Sequence, residues 1–113
     1  MRQSAEILLV EDSPADAELT SIAVRQSPLN SNLTVVRYGS DAIHYLKREG
    51  KFATAPRPDL IFLDWNLPDL DGADVLAFLK SGDLKVIPVI ILTSSRLAED
   101  VSKAYEMRAN CFI

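Results

Sequence analysis

Short apolar runs alternate with stretches of helical period along the whole chain. The runs at residues 7–10, 60–63 and 89–92 are continuous and rich in branched side chains. Such runs predict strands buried on both faces, the pattern of a parallel sheet. A weaker run at 33–36 predicts a further strand nearer an edge, and Cys111, Phe112 and Ile113 read as the start of another. Between them lie four helices with recognisable ends. Ser13 before Pro14 pairs a good N-cap with a proline at the first helical position, where its missing N–H costs nothing. Leu19, Ile22, Ala23 and Gln26 then mark one face, and Pro28 ends the helix. Ser40 caps a second helix, with Ala42, Ile43 and Leu46 inward and Gly50 as its stop. Asp71 and Gly72 open a third, with Val75, Leu76 and Leu79 inward. Residues 98–107 form a fourth, with Val101, Ala104, Tyr105 and Met107 as its apolar positions. The order βαβαβαβαβ requires right-handed crossovers and so predicts an α/β domain, a parallel sheet with helices on both faces.

Composition narrows the class. With 113 residues, 48% hydrophobic and 25% charged, the chain suits one packed domain, and the proline-containing stretch 51–58 is a connection within it. A net charge of −4 argues against a nucleic-acid binder, which would need a basic patch against phosphate. One cysteine, Cys111, can form neither an internal disulfide nor a CxxC metal site, so a reducing compartment is expected. The apolar run at 7–10 is too short for a signal peptide, and acidic residues follow it at once. The longest apolar stretch, near 86–92, contains Pro88 and falls far below the ~20 residues of a membrane span. A soluble, cytoplasmic domain is the expectation.

Ligands of such sheets bind at the carboxyl ends of the strands, where strand order reverses. Glu11 and Asp12 follow the first strand, Asp64, Trp65 and Asn66 follow the third, and Thr93, Ser94 and Ser95 follow the fourth. Three carboxylates and a hydroxyl thus meet at one edge. Carboxylates packed that closely repel, raising at least one pKa or recruiting a cation. Oxygen ligands without histidine or cysteine suit a hard ion, and Mg²⁺ held by one or two carboxylates plus waters fits best. A carboxylate beside Mg²⁺ can also attack phosphorus, giving an aspartyl phosphate. Any one of these acids alone reads more simply as a solvated loop residue or helix cap, Asp12 above all. Their joint placement on strand ends favours a site.

These residues resemble the receiver domain of two-component response regulators. The resemblance rests on Val10, Glu11, Asp12 and Ser13, on Leu63, Asp64, Trp65, Asn66, Leu67 and Pro68, on Asp71 and Gly72, and on Ile91, Leu92, Thr93 and Ser94. It covers residues 1–113 as one receiver domain, with the motifs in order and in spacing. It implies a flavodoxin-like, doubly wound sheet of order 2-1-3-4-5. Residues 50–52, 56–59 and 110–112 are similar to the stand-alone, phytochrome-associated members. Carried over position by position, the resemblance makes Asp64 the phosphoacceptor, Asp12 the direct Mg²⁺ ligand and Glu11 the acid that holds the ion through water. Asn66 supplies a backbone carbonyl, Thr93 the hydroxyl that turns toward the phosphoryl group, and Phe112 the aromatic whose rotation follows. It also implies a sensor histidine kinase, here a phytochrome, or a phosphotransfer protein as donor, a downstream protein partner, and homodimerisation through the fourth helix and last strand. The family's phosphate-binding lysine and final helix would follow Ile113, so the biological chain is expected to continue past it.

Competing readings give way on particular residues. An aspartyl phosphatase needs a second acid two residues after the nucleophile, where this chain has Asn66. An EF-hand loop counted from Asp64 needs glycine at its sixth position, which is Asp69. A degenerate receiver that docks partners without being phosphorylated remains the alternative. Of the other single residues, His44 reads as solvated, Cys111 as a small core residue, and Trp65 as a packed or surface ring placed to report optically on Asp64. Phe112 would otherwise be ordinary core.

Overall fold

A computed structural model of the chain describes residues 4–92 and 111–112. Five strands, β1 (Ala5–Val10), β2 (Ser31–Val36), β3 (Leu60–Asp64), β4 (Val89–Leu92) and β5 (Cys111–Phe112), alternate with α1 (Pro14–Gln26), α2 (Gly39–Lys47) and α3 (Gly72–Lys80). All neighbouring strands pair parallel, in the order β2-β1-β3-β4-β5. This is the expected doubly wound sheet, with β2 at an edge. The helix expected over 98–107 lies outside the described residues.

The sheet's two faces differ. Leu8, Val10, Ile61, Leu63, Val89 and Ile91 point to one side and pack against Ala42, Tyr45, Val75, Leu76 and Leu79 of α2 and α3; all but Tyr45 are fully buried. On the other side Leu60, Phe62, Ile90 and Leu92 are only half-buried. The expectation of strands buried on both faces therefore holds for β1 but not for β3 and β4. Alternate side chains of a strand point to opposite faces, and among the described residues α1 flanks only part of the second face. The same geometry corrects the reading of α1. No residue of that helix is buried, and Leu19 is 66% exposed over an apolar groove of about 460 Å³ that Phe62 and Leu92 also line.

Local signals account for the helix ends with one exception. Ser13 caps α1, its hydroxyl accepting from the Asp16 N–H at 3.3 Å. Asp71 and Asp74 form a capping box that opens α3, and Val75, Leu76 and Leu79 are inward as expected. The exception is α2. It starts at Gly39, not after Ser40, and its N-cap residue Tyr38 offers no side-chain bond. The cap comes from Asp69, 30 residues away, which accepts from the Gly39 N–H at 2.8 Å and from the Ser40 N–H and hydroxyl at 3.1 and 2.6 Å. Burial tends to raise the Asp69 pKa, but these bonds outweigh it and hold the carboxyl down to about 2. The inward residues of α2 are Gly39, Ala42 and Tyr45, while Ile43 and Leu46 are half-buried.

Nor does α2 stop at Gly50. It ends in a Schellman motif, in which Arg48 N–H donates to Tyr45 O at 3.1 Å and Glu49 N–H to His44 O at 3.0 Å. Arg48 occupies the left-handed position, φ 58°, ψ 49°, that glycine usually fills. Gly50 also has positive φ, but in the short 3₁₀ turn that follows.

Candidate functional site

The parallel sheet delivers the ends of β1 and β3 side by side, with Val10 registered on Leu63. Each of the next residues therefore projects at the carboxyl edge. Oxygens of Glu11, Asp12 and Asp64 all lie within 4.8 Å of one another. Glu11 and Asp64 are 6% and 9% exposed, and burial separates this cluster from a solvated acidic face. Asp12 is half-buried. The sequence-predicted carboxylates are thus brought together.

Burial is the chief cause that pushes Glu11 up to about 7, and a hydrogen bond from its protonated carboxyl to Asp64 adds to the rise. The Ser13 N–H, donating to Glu11 Oε2 at 3.3 Å, opposes it. Burial also raises Asp64, partly offset by the bond from Glu11 and by the Asn66 N–H, which donates to Asp64 Oδ1 at 3.1 Å. Asp12 adds to that rise through its charge. Three oxygen donors, two of them buried with their pKa values raised, fit a hard divalent ion, whose binding favours the ionised carboxylates.

Asn66 is exposed, and its backbone N–H is the part already engaged with Asp64. Thr93 lies outside the described residues, following Leu92 at the end of β4. Phe112 lies on β5 opposite Ile91. His44 is exposed, as expected.

The loop from Asp64 to Gly72 is fixed from three directions. Trp65 is buried, and its N–H donates to Leu92 O at 3.1 Å while its carbonyl accepts from Gly72 N–H at 3.0 Å. A Cβ on Gly72 would lie 2.7 Å from Trp65 Cα and 2.9 Å from Asp64 O. Because both contacts are backbone, Gly72→Ala must move the chain that carries Asp64. We expect it to destabilise the fold by about 2 kcal/mol, measured by urea unfolding. Asp69, which ties the same loop to α2, was missed in the sequence as an anchor. Its partners are remote in the chain, so no local spacing signals them.

The response regulator receiver domain family matches residues 7–113. Response regulator Rcp1 of Synechocystis sp. is 44% identical over 108 residues, covering 95% of this chain and 74% of the relative. The structure of the Mn²⁺-bound form of Rcp1 superposes with a TM-score of 0.93, covering 96% of this chain and 79% of that one. The phosphorylated cyanobacterial phytochrome response regulator RcpA also gives a TM-score of 0.93 at 44% identity, over 97% of this chain and 79% of that one.

Proposed function

Since the chain belongs to the response regulator receiver domain family, whose members are phosphorylation-dependent switches of two-component systems, we propose that Asp64 is its phosphoacceptor and that Glu11, Asp12, Asp64 and the Asn66 carbonyl form its Mg²⁺ site. The observation that carries this reading is the cluster of three acid oxygens within 4.8 Å, set at the carboxyl edge of β1 and β3. The Mn²⁺-bound structure of Rcp1 supports a divalent ion, and the phosphorylated RcpA structure supports the transfer. When bound, the ion supplies positive charge against the phosphoryl oxygens.

The chain's own residues do the rest. Asp64 presents a carboxylate oxygen whose lone pair forms the new P–O bond, while the P–N bond of a donor phosphohistidine breaks and its electron pair leaves with the imidazole. The Asn66 N–H keeps Asp64 Oδ1 engaged, directing attack through the other oxygen. Thr93 would donate its hydroxyl to the phosphoryl group, and Phe112 would follow by rotating. The phosphoryl group, which carries about −1.5 to −2 at neutral pH where the carboxylate carried a single charge, biases a two-state surface that a protein partner reads. A phytochrome kinase as donor is supported by the similarity to RcpA, a phytochrome response regulator.

The test is exposure of the purified protein to a small phosphodonor with Mg²⁺, followed by intact-mass measurement. Gain of one phosphoryl group is expected. An unchanged mass would favour the docking module that is never phosphorylated. Mg²⁺ binding has its own readout, because Trp65 is buried beside Asp64. A Mg²⁺ titration should change its fluorescence, and Asp12→Ala should weaken that response at least about tenfold by removing a charged ligand. An equal response in the variant would refute the assignment of Asp12.

A further inference from the structure

We propose that the edge of the sheet opposite the acidic cluster carries a second site, a cationic pocket for a small polyanion bearing phosphate or carboxylate groups. The pocket, about 390 Å³, lies where the C-terminal ends of α2 and α3 meet the segments leading into β3 and β4. That size falls in the range of small-molecule sites. Lys47, Arg48 and Arg57 bring positive charge to it, Asp83 is its one acidic residue, and Tyr45 and Phe78 supply aromatic wall.

Charge is segregated along the molecule. Residues 47–59 and 80–85 carry six Lys or Arg against three Asp or Glu, in a chain whose net charge is −4. Lys47 and Arg48 have no carboxylate partner among the described residues. Arg57 donates through Nη2 to the Asp83 carbonyl at 3.1 Å, which holds the guanidinium at the pocket and leaves its other N–H groups available.

A simpler account is that cations gather at helix C-termini to offset the macrodipole. It explains Lys47 but not Arg48. A residue at φ 58° is better served by glycine, and the Schellman bonds of α2 need only a backbone N–H there. The backbone is thus strained to place a guanidinium where the helix end does not require one, and strain of this kind accompanies binding sites. Three of the carbonyls at these helix ends, which would otherwise repel an anion, are already engaged. Tyr45 O and His44 O accept from the Arg48 and Glu49 N–H groups, and Phe78 O accepts from the Ser81 hydroxyl at 2.8 Å.

Pyrophosphate and citrate serve as probes, titrated calorimetrically into metal-free protein at low salt. Preparing the protein on a chelating resin avoids both an added chelator, itself a polyanion, and a metal that would draw the probe to Asp64. Saturable binding of either probe is expected, and preference for one identifies phosphate or carboxylate as the favoured group. Arg48→Gly should weaken binding about tenfold while leaving the melting temperature unchanged or higher, because it removes a charged contact and relieves the backbone. Arg57→Gln should weaken it similarly. Lys51→Gln removes one charge nearby but outside the pocket and should leave binding within about twofold. Lack of saturable binding, or equal losses in Arg48→Gly and Lys51→Gln, would overturn the proposal.

Discussion

Asp64→Asn is expected to abolish phosphodonor labelling while leaving the protein folded. The amide has the shape of the carboxylate and can still accept the Asn66 N–H now directed at Asp64 Oδ1. It lacks the nucleophilic oxygen anion, so no P–O bond forms. Stability should not suffer. Asp64 is nearly buried, and burial already raises its pKa, so exchanging it for a neutral group removes a desolvation cost. Intact mass after phosphodonor treatment reads the first effect, and urea unfolding reads the second. Labelling that persisted in the variant, mapped by peptide mass to Glu11 or Asp12, would move the acceptor to a neighbouring strand end.

Metal affinity should depend steeply on pH below neutrality. The Glu11 pKa stands at about 7, raised first by burial and then by the bond to Asp64. A cation must displace that proton, so affinity is expected to fall about tenfold per pH unit below 7 and to level off above it. Stability of the metal-free protein should run the other way. A raised carboxyl pKa means that the folded state binds its proton more tightly than the unfolded chain. The contribution of Glu11 to stability is therefore greatest below the ordinary value of 4.5 and is lost as pH rises toward 7. Added Mg²⁺ should recover that loss. Glu11→Gln keeps a donor toward Asp64 without a titrating proton, and should flatten both profiles between pH 5 and 7. An Mg²⁺ affinity in the parent protein that stayed constant over this range would remove Glu11 from the site.

Much of this protein was legible because its signals are local. Continuous branched runs marked β1, β3 and β4, Ser13 with Pro14 marked the start of α1, and Asp71 with Gly72 marked α3. The chemistry was legible for a related reason. A parallel sheet places the residue after every strand on one edge, so Glu11, Asp12 and Asp64 could be grouped before any distance was known. Gly72 could be noticed in the sequence, but the backbone contact that demands glycine there belongs to the folded chain.

Only the tertiary structure decided what depends on partners far apart in sequence. Ser40 looks like the cap of α2 because a hydroxyl before a helical stretch usually is one, yet Asp69 reaches across from the loop after β3 and takes that role. Gly50 looks like the stop of α2 because glycine best tolerates positive φ, yet Arg48 adopts it two residues earlier. The unequal covering of the two sheet faces was likewise hidden, since an apolar run records that its side chains can be buried, not which helix buries them. The pKa values of Glu11 and Asp64 follow from the same source. Sequence determined that acids stand at the strand ends; burial and a shared proton, which exist only once β1 and β3 lie side by side, determined how those acids ionise.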